Sequence, residues 1–201
     1  MHEGFVDLSE ALPGIRTDIR YATANNLTGH PLAGYLAPRA LATREAAAAL
    51  SAAFQETRRL GYGMLIYDAY RPQKAVLDFV RWSQEPETGA TKAAFYPELE
   101  KERLFPLGYI AERSGHSRGS TIDLTLTDGA GMTLDMGTDF DFMSERSHHG
   151  AAGLTDRQMG NRALLRAIMT GAGFAPYENE WWHYRLEDEP YPDTYFDFDI
   201  K

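Results

Sequence analysis

The stretch from Thr43 to Leu60 and the short run behind it constrain the fold most. Ala46, Leu50, Ala53, Phe54 and Leu60 recur at helical spacing in an alanine-rich background, which predicts one amphipathic helix. Thr43 can cap its start and Gly61 can stop it. Two residues later comes Gly63-Met64-Leu65-Ile66-Tyr67-Asp68, an apolar run too short for a helix and suited to a buried strand. It gives way to Tyr70-Arg71-Pro72. Pro72 suits the first turn of a second helix, running on through Val76, Phe79 and Val80. Helix, buried strand and helix in such close order exclude an all-α or an all-β chain.

The remaining segments fill in that frame. Residues 15–21 alternate apolar and polar positions and read as a strand, and residues 25–31 read as loop. Residues 85–107 carry prolines and charges without a sustained period, which predicts a long surface excursion. Ile122-Asp123-Leu124-Thr125-Leu126 alternates again. Turn residues at 127–131 lead to Met132-Thr133-Leu134 as the second strand of a hairpin. Thr155-Asp156-Arg157-Gln158 matches a capping box and opens a helix to about Thr170. Trp181 to Tyr184 is strand-like, and the tail after Pro190 looks irregular. The hairpin argues for a mostly antiparallel sheet, so the expected fold is α+β, a central sheet with flanking helices. At 201 residues one domain suffices, and a chain of that size buries roughly 70% of its unfolded surface.

Charge and composition narrow the function. The chain carries 20 Lys and Arg against 29 Asp and Glu, a net charge of −9, which disfavours nucleic acid and anionic membrane surfaces as partners. No apolar stretch approaches the roughly 20 residues of a membrane span, and no leader is visible at the N-terminus. The expectation is a cytoplasmic protein, with a homo-oligomer left open. Cysteine is absent, so any metal must be held by His, Asp or Glu.

Two places could hold one. His116 and Asp123 flank a small-residue turn at Arg118-Gly119-Ser120, which can fold the histidine back over the start of the strand. Glu180-Trp181-Trp182-His183 lies some sixty residues on. Two histidines and a carboxylate make a zinc site of the catalytic kind, and Glu180 beside it could serve as general base. A His–Asp pair at this spacing is more often surface or structural, and Glu-Trp-Trp-His can equally be an aromatic core strand with polar ends. Arg71, between a strand end and a helix start, can hold an oxyanion or clamp a carboxylate, or simply pair with an acidic residue on the surface. His148-His149 reads as polar loop, because neighbouring side chains point apart. Trp181 and Trp182 read as core and pocket wall. The glycine patterns of dinucleotide and nucleotide loops, the Gly-x-Ser-x-Gly elbow and thiol nucleophiles are all missing.

Read together, the blocks resemble a known family. Ser-x-His-x-x-Gly-x-x-x-Asp at 114–123 with Glu-x-x-His at 180–183 is similar to the metallopeptidases that share the hedgehog and D,D-carboxypeptidase zinc fold. Tyr-Ala-Thr at 21–23, Asn-Leu-Thr-Gly at 26–29, Tyr-Arg-Pro at 70–72, Ser-His-His at 147–149, Glu-Trp-Trp-His-Tyr at 180–184 and Tyr-Phe-Asp-Phe at 195–198 resemble the VanX-type D-alanyl-D-alanine dipeptidases. The resemblance implies a cytoplasmic enzyme with one Zn2+ that cleaves free D-Ala-D-Ala. It implies His116, Asp123 and His183 as ligands, Glu180 as base and Arg71 as stabiliser of the tetrahedral intermediate. Ser114 falls to the substrate carboxylate, Tyr21 and Asp141 to its ammonium. Thr121 departs from the alanine common in the signature. The rival readings are a murein D,D-carboxypeptidase or L,D-endopeptidase of the same fold and, further off, a zinc or peptide-binding module without activity.

Overall fold

The computed structural model describes residues 2–201. Its strands are β1 (Phe5–Asp7), β2 (Arg16–Thr17), β3 (Leu41–Thr43), β4 (Gly63–Asp68), β5 (Thr121–Thr127), β6 (Phe174–Tyr177) and β7 (Glu180–Leu186). Its helices are α1 (Leu8–Ala11), α2 (Arg44–Arg59), α3 (Gln73–Gln84), α4 (Lys92–Phe95) and α5 (Asp156–Gly171). Five strands form one sheet in the order β2-β4-β5-β7-β6, while β1 and β3 pair as a separate ribbon. Every pairing in the large sheet is antiparallel except β2 with β4. The α+β expectation and the mostly antiparallel sheet both hold.

The helices form where the sequence places them. Thr43 accepts from the Ala46 N–H at the start of α2, and Gly61, at φ +85°, takes the left-handed turn that ends it. Ala46, Ala47, Leu50, Ala53, Phe54 and Thr57 make its buried stripe, packed on β4 and α5. Thr155 and Gln158 close the capping box of α5. Strand β5 lies at the centre of the sheet and is buried along its length. Leu124 and Leu126 there are wholly enclosed, each worth about 1.5–3 kcal/mol of transfer energy.

Three expectations are refined. The strand expected over 15–21 is only Arg16–Thr17. Beyond it the chain tightens into a 3-10 turn at Arg20–Ala22 that buries Tyr21. Met132–Leu134 turns back along β5 as expected but forms no strand. A single antiparallel bridge joins Thr133 to Thr127, flanked by hydrogen bonds from the Asp128 N–H to the Met132 carbonyl and from the Leu134 N–H to the Leu126 carbonyl. The antiparallel partners of β5 come instead from the distant β4 and β7. Residues 85–107 run mostly over the surface, as expected, but are anchored at a few buried points. Phe95, Tyr96 and Leu104 are core residues, and the Lys101 ammonium sits 4.2 Å from the centre of the Trp82 ring. Strand β6 escapes a sequence reading because Pro176 interrupts it, which an edge strand tolerates.

Candidate active site

The site is assembled on the middle of the sheet. Asp123 of β5 is directly opposite His183 of β7, and on its other side it faces Asp68, the last residue of β4, across a register shift. Three adjacent strands thus carry Asp68, Asp123 and His183 side by side. His116 comes from the 3-10 turn Gly115–Arg118 that leads into β5. Ser114 caps this turn, its Oγ accepting the His116 N–H at 3.3 Å. The turn leaves no room for side chains at two places. A Cβ at Gly115 would stand 2.8 Å from Thr121 Oγ1, and one at Gly119, where φ is +81°, would overlap the Phe5 ring. The Thr121 hydroxyl fills the space beneath Gly115, so the departure from the alanine signature fits here.

The donor atoms converge. His116 Nε2 is 3.3 Å from Asp123 Oδ2, His183 Nδ1 is 3.2 Å from Asp123 Oδ1, and the two histidine nitrogens are 3.4 Å apart. The edge of a tetrahedron of ligands with 2.0–2.1 Å bonds is about 3.3 Å. Asp123 Oδ1 is buried and lacks a hydrogen-bond donor, as expected of an oxygen aimed at a cation. His116 presents Nδ1 to the Ala69 carbonyl at 2.7 Å; donating its proton there leaves Nε2 free for a metal. These three residues form the metal-competent group found among the described residues, and two His with one carboxylate suit zinc. Burial opposes charge on Asp123, yet His116 and His183 beside it hold its carboxyl below the usual range.

Glu180 opens β7, and its Oε2 is 3.4 Å from His183 Nδ1. Burial pushes its carboxyl up to about 7, with Asp123 adding and His183 and Arg71 opposing, which suits a group that exchanges protons near neutrality. Arg71 follows β4 by three residues. It is no surface arginine: its side chain is 11% exposed and sits over the rings of Tyr21 at 4.5 Å and Phe79 at 5.2 Å. A pocket of about 310 Å³ opens in front of these groups, with Ser114, Tyr21 and Asp141 in its wall. Tyr21 donates to Asp141 Oδ2 at 2.7 Å. Burial raises the Asp141 carboxyl to about 8. Asp141 is the one non-glycine residue at positive φ among those described, 61°, a conformation that Asp tolerates better than most. Trp182 lines the pocket, while Trp181 is buried and donates to Thr138.

The peptidase M15 family, described as D-Ala-D-Ala dipeptidase, matches residues 1–201. A D-alanyl-D-alanine dipeptidase of Enterococcus faecalis is 50% identical over 202 residues, covering 100% of both chains. The chain belongs to the D-Ala-D-Ala dipeptidase family. A second dipeptidase of that name, from Streptomyces coelicolor, is 50% identical over 98% of each chain. One from Enterococcus faecium is 46% identical over 100% of each.

For this member of the D-Ala-D-Ala dipeptidase family, the structure brings all eight sequence-predicted residues to one pocket. It also adds two that sequence reasoning missed. Asp68 is 1% exposed, accepts from Arg71 Nε at 2.9 Å and pairs with Nη2 at 2.9 Å. Tyr35 donates to its other oxygen at 2.6 Å. The available signal was the Asp-x-x-Arg spacing at the end of an apolar run, which a strand reading absorbs as a polar terminus.

Proposed function

We propose that this chain, as one domain over residues 1–201, is a zinc dipeptidase that hydrolyses free D-Ala-D-Ala to two D-alanines in the cytoplasm, depleting or recycling a peptidoglycan precursor. The observation that carries this reading is the convergence of His116, Asp123 and His183 at 3.2–3.4 Å beside a buried carboxylate, Glu180, that is not one of the three. The names of the full-length relatives supply the substrate.

His116, Asp123 and His183 would hold one Zn2+. When bound, the ion supplies Lewis acidity, making water acidic enough to ionise near neutrality and polarising a carbonyl. Glu180 accepts a proton from the attacking water and returns it to the leaving amine as the C–N bond breaks, so one water is consumed and no proton is lost. Arg71 offers N–H groups to the oxygen that gains charge in the transition state. At one end of the pocket Asp141, with the Tyr21 hydroxyl against it, meets the substrate ammonium, whose charge favours the ionised carboxylate. Ser114 meets the substrate carboxylate. Groups matched to both termini in a pocket at the small end of ligand sites favour a free dipeptide over an internal peptide bond.

D-Alanine release by zinc-loaded protein tests this directly, with D-Ala-D-Ala, N-acetyl-D-Ala-D-Ala and D-Ala-D-lactate as substrates. Rapid cleavage of the free dipeptide and poor cleavage of its acetylated form are expected. Equal cleavage of the two would remove the ammonium subsite and favour a carboxypeptidase acting on longer chains. No cleavage of any would overturn the reading.

A further inference from the structure

We propose that Asp68 is the positioning residue that makes Arg71 available to the reaction, holding its guanidinium edge-on and away from Asp123. The proposal rests on the dipeptidase reading for Arg71's task, but the geometry behind it is independent of substrate. Asp68 ends β4 and is buried. A buried carboxylate survives only when its lone pairs are met by donors. Here two donors meet it, Arg71 Nε on Oδ2 and the Tyr35 hydroxyl on Oδ1, and Arg71 Nη2 adds an ion-pair contact at 2.9 Å.

The consequences for Arg71 follow from its shape. A guanidinium has five N–H groups in a planar fork. Asp68 takes the Nε/Nη2 edge, and the Tyr21 and Phe79 rings flank the group. The guanidinium's hydrogen bond goes from Nε to Asp68, and Arg71 lines the pocket. What remains for a ligand is therefore the Nη1 end. Arg71 Nη2 also stands 3.6 Å from Asp123 Oδ2. Without Asp68 the nearest carboxylate for Arg71 is that of Asp123, and the cation would be drawn off the substrate. Asp68 Oδ2 lies 3.4 Å from His116 Nδ1 as well. That nitrogen, however, already has the shorter contact with the Ala69 carbonyl, so His116 keeps its orientation when Asp68 is changed.

The decisive set is Asp68→Asn, Arg71→Ala and the double variant, each measured for zinc content, kcat and KM on D-Ala-D-Ala. Asp68→Asn should keep its zinc and its KM while kcat falls about 10–100-fold, the usual range for a supporting hydrogen-bond partner. In the Arg71→Ala background the same change should cost little, because Asp68 acts through Arg71. Added guanidinium should restore part of the activity of Arg71→Ala and none in the double variant, which lacks the anion that docks it. Tyr35→Phe removes a single donor from Asp68 and should give a smaller fall, so the idea stays testable should Asp68→Asn fold poorly. Loss of zinc in Asp68→Asn, or an equal fall with and without Arg71, would overturn the proposal. The Arg71 Nε–H resonance gives a reading without turnover. It should exchange slowly in the wild type and quickly in Asp68→Asn, and an unchanged signal would overturn the proposal. An inactive wild type would refute the dipeptidase reading instead and leave this resonance as the judge.

Discussion

The candidate metal centre and the rim proposed to face the substrate are built by different means. At the centre, Asp123 and His183 are paired residues of neighbouring strands, and their spacing is that of the sheet itself. At the rim, Tyr21 comes from a 3-10 turn, Ser114 from a turn cap and Asp141 from a loop in left-handed conformation. Side-chain hydrogen bonds hold them. The loop behind Asp141 leans on residues 85–107: the Met143 N–H donates to the Phe95 carbonyl at 2.6 Å, and Ser144 donates to Glu98 at 2.7 Å. The centre inherits its rigidity from the ladder, whereas the rim depends on how loops pack. Damage to the two should therefore separate into loss of metal or chemistry on one side and loss of substrate fit on the other.

The largest effect expected is at Glu180, the proposed base, which stands beside the centre at 3.4 Å from His183. Glu180→Gln should lower kcat about 10²–10⁴-fold, the usual contribution of a general acid–base group, with KM little changed. Without metal the Glu180 carboxyl stands at about 7. In the wild type kcat/KM should fall on the acid side as this base, which must be ionised to accept a proton, is protonated. A bound dication favours the ionised carboxylate and moves this limb to lower pH. The residual rate of Glu180→Gln should lack the limb, and a pH–rate profile that keeps it would assign the titration elsewhere.

Phe95→Ala tests the rim through its support. Deleting this buried ring should cost about 3–5 kcal/mol of stability, read by denaturant unfolding. If the rim depends on it, KM for D-Ala-D-Ala should rise while zinc content stays at the wild-type level. Zinc loss in parallel with KM would erase the distinction between centre and rim.

A smaller effect separates Asp141 from its surroundings by pH. Its carboxyl stands at about 8 in the folded protein and near 3.9 in an unfolded chain. The folded state therefore holds a proton that the unfolded chain has shed. That contribution to stability is present below the unfolded value and is lost as pH rises through about 8. Asp141→Asn cannot ionise, so it should gain on the wild type between pH of about 5 and about 9. Parallel stability curves would mean that Asp141 is not desolvated.

The same division explains what could be read from the chain. Helices α2, α3 and α5 were legible because long periodic stripes and caps report burial locally, β4 because an apolar run does, and β5 because its apolar residues alternate. Asp123 stood out through its spacing from His116 across a small-residue turn. The pairing of β5 with β4 and β7 was not legible, since it joins segments far apart in sequence, and a plausible local hairpin competed with it. Residues 85–107 were legible as a surface excursion, but their anchors Phe95, Tyr96 and Leu104 were not, because they follow no period. Among the site residues, the ligands, Glu180 and Arg71 came from motifs, while Asp68 needed the fold: only there does its partner Arg71 turn back onto it.

On the proposed reading His116, Asp123 and His183 hold a metal, while Glu180, 3.4 Å from His183 Nδ1, does not. Zinc per chain after exhaustive dialysis, compared between Glu180→Ala and Asp123→Ala, tests it most directly. The account predicts about one zinc per chain in the first and none in the second. Equal zinc content in the two variants would contradict it.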